Sequence, residues 1–322
     1  MRATALINVL MMVALAAGAG CSAEKDVSVY PSKPITIVVP FAPGGGGDTF
    51  TRAIALQAQE MMGTKIFVEN RAGGSGTIGV GSVARARADG YTLGFVSSSP
   101  VVMAPHLLNV PYDPAVDLTY LARFVVTVNP VLAGADAPFK SFDEMLEFGR
   151  ANPGKLRWST AGINGASHIA TLAAFEQEGV DATFVPMQGS SEVMAGLLGG
   201  TVDVGVISDY AGSLAAGDIQ VLAEIGPEPI PELPELPTFK SRNYPLAPTI
   251  FYGIAGPADL PAEVIARWDE VLRAITASAQ FKNVAVRLNG QVAYLGHQQF
   301  EADIKREIDA MGAALRALGM LE

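Results

Sequence analysis

The run VVPFAPGGGGD, residues 38–48, decides the fold. It joins a β-branched, buried-strand pattern, ITIVVPF at 35–41, to a helical pattern running from Asp48 to about Met62. Four consecutive glycines between strand and helix permit close backbone approach. They also present free N–H groups at a helix N-terminus, a place that favours anions. The same order continues outward: 65–70 reads as a strand, 76–88 as a helix and 91–98 as a strand. Such alternation implies right-handed βαβ units and a mainly parallel sheet.

Further along, 121–132 is long, apolar and β-rich, and reads as a passage from one domain to the next. Ser141-Phe142-Asp143-Glu144 is a capping box. Strands are expected at 156–160, 182–187, 202–207 and 219–225, with helices at 166–178 and 190–198. Five prolines between 227 and 237 impose an irregular surface segment. A strand at 250–255 and a helix at 261–280, with proline in its first turn, follow. Apolar residues at 300, 304, 308, 311, 315 and 318 give a long amphipathic helix. The expected organisation is α/β with two domains, 29–124 plus 249–322 and 125–248. The chain crosses between them twice, which leaves a hinge and a cleft.

The 322 residues are 49% hydrophobic and 17% charged, so a large core can form. A net charge of -10 argues against a nucleic-acid partner, whose binding draws on a basic face that releases phosphate counterions. Arg2 followed by the apolar 3–17 run reads as an export signal. Cys21 is the single cysteine, so no internal disulfide is possible. Its place after Gly18-Ala19-Gly20 resembles a bacterial lipoprotein junction, although Gly18 stands where such signals favour leucine. Cleavage at Ala17-Gly18-Ala19 is the alternative. Residues 22–28 read as a tether.

A second loop, RWSTAGINGASH at 157–168, repeats the strand, glycine turn and helix of the first. Candidate ligand residues are therefore Phe41, Ala42, Gly45, Gly46, Gly47 and Asp48 on the first loop, and Ala161, Gly162, Asn164, Gly165, Ser167 and His168 on the second. Shorter relatives add Ser98, Ser99, Gln188, Gly189 and Asp209. In open α/β sheets, ligands bind beyond the carboxyl ends of the strands, where all these loops lie. After Arg157 there is no Lys or Arg until Lys240, so a bound carboxylate is held by backbone N–H, hydroxyls and water. The glycines would equally serve close packing of helix on strand; their occurrence in both halves favours a site. Asp48 reads most simply as a helix N-cap and otherwise as a contact to a ligand ammonium or hydroxyl. Asp209 carries the same two readings. His168 reads as a donor to a carboxylate or as a helix residue packed on the sheet.

Rival chemistries lack their residues. GSGTIG at 74–79 matches GxGxxG, but it follows the second strand, and no Asp or Glu lies between Asp89 and Asp113. No GxSxG occurs. The three histidines, at 106, 168 and 297, are too scattered for a metal-binding pair, and the glycine run lacks a P-loop ending. No cofactor, metal or catalysis is expected.

Several ordered stretches resemble one known family, the Bug or TctC-like periplasmic receptors of tripartite tricarboxylate transporters. They are YPSKPITIVVPFAPGGGGDTFTR at 30–52, VENRAGGSGTIGVGSVARARADGYTL at 68–93, STAGINGASH at 159–168, LLGGTVDVGVISDY at 197–210 and ELPTFKSRNYP at 235–245. The resemblance implies a periplasmic-binding-protein clamshell, a type II-like Venus flytrap. Its two glycine loops would pinch a carboxylate at 41–48 and 161–167, flanked by Ser98 and Ser99. It implies a structural helix start for the second block. It implies service to integral membrane permease subunits; with the N-terminal reading, an exported monomer held to the membrane only by its N-terminal lipid is expected. A sensing receptor built on the same clamshell is the runner-up. Relatives often read VPYKG where this chain has Val185-Pro186-Met187-Gln188-Gly189; losing the aromatic ring and the cation implies an altered cleft lining and a more apolar ligand body.

Overall fold

The computed structural model describes residues 30–321; the leader, Cys21 and the 22–28 tether lie outside them. The strands are β1 (Ile35–Val39), β2 (Ile66–Asn70), β3 (Thr92–Ser97), β4 (Leu118–Thr127), β5 (Pro130–Gly134), β6 (Leu156–Thr160), β7 (Ala182–Phe184), β8 (Val204–Val206), β9 (Ile219–Glu224), β10 (Ile250–Pro257) and β11 (Gly290–Gly296). They form a six-stranded sheet, ordered β11-β4-β10-β3-β1-β2, and a five-stranded sheet, ordered β7-β6-β8-β5-β9.

Both sheets are mixed, which corrects the mainly parallel expectation. β1 runs parallel to β2 and β3, and β6 runs parallel to β7 and β8. The remaining pairings are antiparallel. The reason is the double crossing. β10 returns from the second lobe and inserts between β3 and β4, and β5 arrives from the first lobe and inserts between β8 and β9. Each inserted strand runs against its neighbours.

The apolar run of β1 is buried on both faces, as a central strand requires. Ile35, Ile37 and Val39 join Phe50, Ile54, Trp268 and Phe281. Val38 points the other way, into a cluster with Val80, Phe251, Phe300 and Ile304. The second lobe repeats this, with Trp158 and Val206 on one face and Leu132 with Val193 and Leu197 on the other.

The 121–132 run divides into β4 and β5, so the first crossing is Val128–Asn129. The long helix expected at 261–280 is two. Pro261 is the N-cap of Ala262–Ala277, one place outside the first turn. Ser278 then breaks the chain and caps Ala279–Arg287, accepting from the Phe281 N–H at 3.0 Å. β11 carried no clear apolar alternation because it is a half-exposed edge strand.

The capping box forms at Ser141. Its Oγ accepts from the Glu144 N–H at 3.2 Å, while Glu144 Oε2 accepts from the Lys140 N–H at 2.7 Å, one residue earlier than a simple box. Ser141→Ala is expected to cost about 1 kcal/mol, read by urea denaturation, and to leave ligand affinity unchanged.

Candidate functional site

The loops after β1, β3, β6 and β8 converge where the two lobes meet. They enclose a cavity of about 60 Å³. The first lobe contributes Phe41, Ala42, Gly45, Gly46, Gly47 and Asp48, with Ser75, Phe95, Ser97 and Ser99. The second contributes Thr160, Ala161, Gly162, Gly165, Ser167, His168, Ser190 and Ser208. The crossings supply Asn129 and Ile250, and β10 supplies Tyr252. None of the lining residues is Lys or Arg.

Three helix N-termini open on this space, at Gly46–Met62, Ala166–Gln177 and Ser190–Leu198. Their N-caps are Gly45, Gly165 and Gly189, all extended, and none supplies a side-chain cap. The first-turn N–H groups are thus left to a ligand or to neighbouring hydroxyls, and the aligned peptide dipoles make the spot favourable to an anion. Ser99 Oγ already accepts from the Ala166 N–H at 3.1 Å.

The lobes are in contact across the cavity. The Ala42 N–H donates to the Gln188 carbonyl at 3.3 Å, and Ser191 Oγ donates to the Pro43 carbonyl at 3.0 Å. Ser75 Oγ donates to the Ile163 carbonyl. Ser208 Oγ and Tyr252 Oη lie 2.9 Å apart. These bonds exist only when the clamshell is shut, so the geometry is that of a closed form.

Asp48 is not the N-cap. The helix starts two residues earlier than its apolar pattern, because Gly46 and Gly47 are helical without contributing hydrophobicity. Asp48 therefore sits on the third helical residue. Its Oδ2 accepts from the Gly44 N–H and from Arg52 Nε, each at 2.9 Å, and its Oδ1 accepts from Asn70 Nδ2 at 2.9 Å. Burial works against its charge, but the bonds from Arg52, Gly44 and Asn70 hold the carboxyl below its ordinary range. The carboxylate is spent on shaping the glycine loop.

His168 packs against the sheet and lines the cavity. Its ring stacks on Trp158 at 5.2 Å and meets Phe184 edge-on at 4.3 Å. Burial lowers its pKa to about 4, so it is neutral at pH 7. Among the described residues, its Nδ1 has no hydrogen-bond partner.

Other expected residues lie beside the cavity without lining it. Ser98 staples two strands of the first lobe, donating to the Thr249 carbonyl at 2.9 Å and accepting from the Phe251 N–H at 3.1 Å. Asn164 holds the turn with φ +60°. Gln188 exposes its side chain, and only its backbone reaches the first lobe. Gly189 lies against Ala42, where a Cβ would come within 2.9 Å of the alanine methyl. Asp209 is held beside Ser190, and burial lifts its carboxyl to about 6 against the pull of that hydroxyl. Met187 packs on Gly196, and neither it nor Gln188 lines the cavity.

Sequence reasoning missed Ser75, Phe95, Ser97, Asn129, Thr160, Ser190, Ser208, Ile250 and Tyr252. Ser75 sits in the block taken for a plain helix start; it reaches the cavity because glycines on both sides let it adopt φ +54°. Asn129 had no signal beyond its place between two strands. Its Nδ2 donates to Ser167 Oγ at 2.8 Å, tying the first crossing to the second glycine loop.

Residues 50–320 match the tripartite tricarboxylate transporter family receptor. A UPF0065 protein in the tcbD-tcbE intergenic region of Pseudomonas sp. strain P51 is 31% identical over 84% of this chain and 82% of its own length. The solved periplasmic binding protein BugD is 27% identical, covers 90% of this chain and 99% of its own, and superposes with a TM-score of 0.82. The R. palustris protein Rpa4515, solved with adipate, is 25% identical over 90% of this chain and 98% of its own, with a TM-score of 0.83. The glycine-capped cleft, the twice-crossed pair of sheets and these likenesses agree, and the chain belongs to the tripartite tricarboxylate transporter receptor family.

Proposed function

We propose that the protein captures a compact organic carboxylate between its two glycine loops and delivers it to integral membrane permease subunits. One observation carries the ligand class: three glycine-capped helix N-termini converge on a cavity with no Lys or Arg in its lining. A carboxylate there is held by N–H and hydroxyl donors. Hydrogen bonds to a charged group are worth about 1.5–3 kcal/mol each, so a few give micromolar affinity. A neutral His168 and the spent carboxylate of Asp48 leave the dipoles as the deciding charges. The cavity size supports a short acid, since about 60 Å³ holds only a handful of water-sized groups. The adipate bound by Rpa4515 supports an aliphatic acid.

In this reading, each sheet with its helices is one domain of the clamshell. Among the described residues the domains are 30–127 plus 250–321 and 130–248, the first boundary three residues later than the expected 124/125 because β4 runs to Thr127 in the six-stranded sheet, and motion is taken up at Val128–Asn129 and near residue 249. The ligand stabilises closure because it touches both lobes only in the closed form. Cys21 carries the lipid that keeps the receptor at the membrane; labelled palmitate should enter the wild type and not Cys21→Ala.

The test of ligand class is a thermal-shift panel of short carboxylates against their neutral amides. A ligand at about 100 times its Kd adds roughly 2.7 kcal/mol, a rise of several degrees. Stabilisation by an acid and not by its amide is the expected result. Equal stabilisation by both, or by uncharged solutes alone, would remove the carboxylate reading.

A further inference from the structure

The first crossing turns on the Val128–Asn129 peptide, and the N–H of that peptide is committed. It donates to Glu224 Oε1 at 3.1 Å. The same oxygen accepts from the Gly226 N–H at 3.0 Å, at the start of the run toward the second crossing. The Glu224 backbone is fixed to the second lobe. Its N–H donates to the Pro237 carbonyl at 2.9 Å, and its carbonyl accepts from the Phe239 N–H at 2.8 Å. Rotation about the soft dihedrals on either side of the 128–129 peptide turns its N–H as one plane. The bond from Asn129 to Glu224 therefore depends on the hinge angle. The Asn129 side chain, bonded to Ser167 Oγ, joins the same residue to the cleft.

In the closed form this carboxyl is a poor place for a charge. Glu224 is 2% exposed, and its Oε2 is wholly covered, with no hydrogen-bond partner among the described residues. A carboxylate would leave a buried charged oxygen bare. A neutral carboxyl leaves at most one hydroxyl unpaired, at a much lower cost. Burial accordingly pushes the group up to about 8, against the pull of its two N–H bonds. The charges around it supply no counter-ion. Glu228, Glu232 and Lys282 share with it the wall of a hinge-side cavity, and Lys240 lies 3.7 Å from Glu228. Those two cations match those two carboxylates. Tyr210 feels both Glu224 and Glu232, and burial keeps its phenol protonated.

We propose that Glu224 is a proton-operated catch on the hinge: the clamshell shuts more readily with a proton on this carboxyl and loosens as the proton leaves. Opening turns the 128–129 N–H aside and parts Glu224 from the first-lobe side of its surroundings, where Val126, Thr127 and Ile250 stand. Water then reaches the carboxyl. Glu224 stays tied to Gly226 and to its own lobe, so only part of the burial is relieved, and the proton is held less tightly than before. The closed form thus has the higher pKa. Closure is helped in full below the open form's pKa, and the help is lost as pH rises through the closed form's. By linkage, ligand affinity falls by the same factor. The catch rests on the hinge reading of Val128–Asn129 and not on the class of ligand.

Two variants hold the ends of the motion without any ligand. A Cβ on Gly45 would lie 3.6 Å from Ser190 Cβ, within the roughly 3.5–4.5 Å that a disulfide spans. Oxidised Gly45→Cys with Ser190→Cys therefore locks the lobes shut. Gly162→Val holds them apart, because its Cβ would meet Ser75 Cα of the other lobe at 3.0 Å. Both are made with Cys21→Ala. Infrared titration follows the carbonyl stretch of the protonated carboxyl, identified as the band missing from Glu224→Gln. The expected midpoint is near pH 8 in the locked protein. It should be lower by about 0.5–1 pH unit in Gly162→Val, a roughly three- to tenfold weaker hold on the proton. Equal midpoints, a lower midpoint in the locked protein, or no band lost in Glu224→Gln would overturn the proposal. A cysteine pair that does not cross-link would overturn it too, by removing the closed geometry on which it stands.

Discussion

Valine in place of Gly162 should lower carboxylate affinity by about 10- to 100-fold while the ligand-free protein melts at its usual temperature. Gly162 belongs to the second glycine loop, and what it faces belongs to the first lobe. A Cβ there would lie 2.6 Å from Ser75 Oγ and 3.0 Å from Ser75 Cα. The hydroxyl can rotate away; the backbone atom cannot. Overpacking of this kind costs about 1–3 kcal/mol, and the cost falls only on the closed form, because the lobes part when the clamshell opens. Apparent affinity drops by the same factor as the closed population. Gly189→Val, set against Ala42 with its amide nitrogen 3.1 Å from the added Cβ, should behave the same way. Titration calorimetry with the acid identified by the thermal panel reads the affinity, and a melt without ligand reads the fold. Unchanged affinity would mean that the loops do not close on the ligand. A lowered ligand-free melting temperature would make the contact one of folding instead.

Glu224→Gln should make the protein more stable near pH 7.5 by on the order of 4 kcal/mol, and little different near pH 4.5. Burial raises this carboxyl from its ordinary 4.5 to about 8, and the N–H bonds from Asn129 and Gly226 offset only part of that. Below about pH 4.5 both the folded and unfolded chains hold the proton, and the residue's full contribution is present. Between 4.5 and 8 the unfolded chain releases its proton while the folded chain keeps it. Stability then falls by about 1.4 kcal/mol for each pH unit. Above about 8 the folded state carries the buried charge, and the loss is complete. Glutamine keeps the acceptor for Asn129 and Gly226 and removes the titration. Urea denaturation of both proteins at pH 4.5 and 7.5 isolates Glu224 from the other carboxyls, which are common to both. Parallel pH dependences would show that the folded chain ionises Glu224 without penalty.

Much of the first lobe was legible because its signals are local. The VVPFAPGGGGD run shows a buried strand, a glycine turn and a helix, and the structure has all three in that order. Ser141 and Glu144 marked a helix start that needs nothing beyond four residues. The pairing of two glycine loops, and the absence of cations near them, pointed to an anion cleft before any contact was known. Elements were misjudged where a local pattern had two continuations. The periodicity of 261–280 runs through Ser278 because a serine cap and an exposed serine look alike in sequence. The 121–132 run holds two strands of different sheets because β-branched residues suit both.

The sequence by itself determined the lobes' building blocks, the glycine-capped helix starts and the family, since strand, turn and cap preferences act over a few neighbouring residues. Only the tertiary structure decided the partners. It made the sheets mixed, because a strand's direction depends on which lobe it arrives from. It brought Ser75 and Tyr252 to the cleft from opposite ends of the first lobe. It buried Glu224 where the two crossings touch, although nothing around residue 224 marks an acid as buried. Contacts across the cleft join residues 44 to 148 positions apart, and closing such loops draws on the whole core rather than on any one segment.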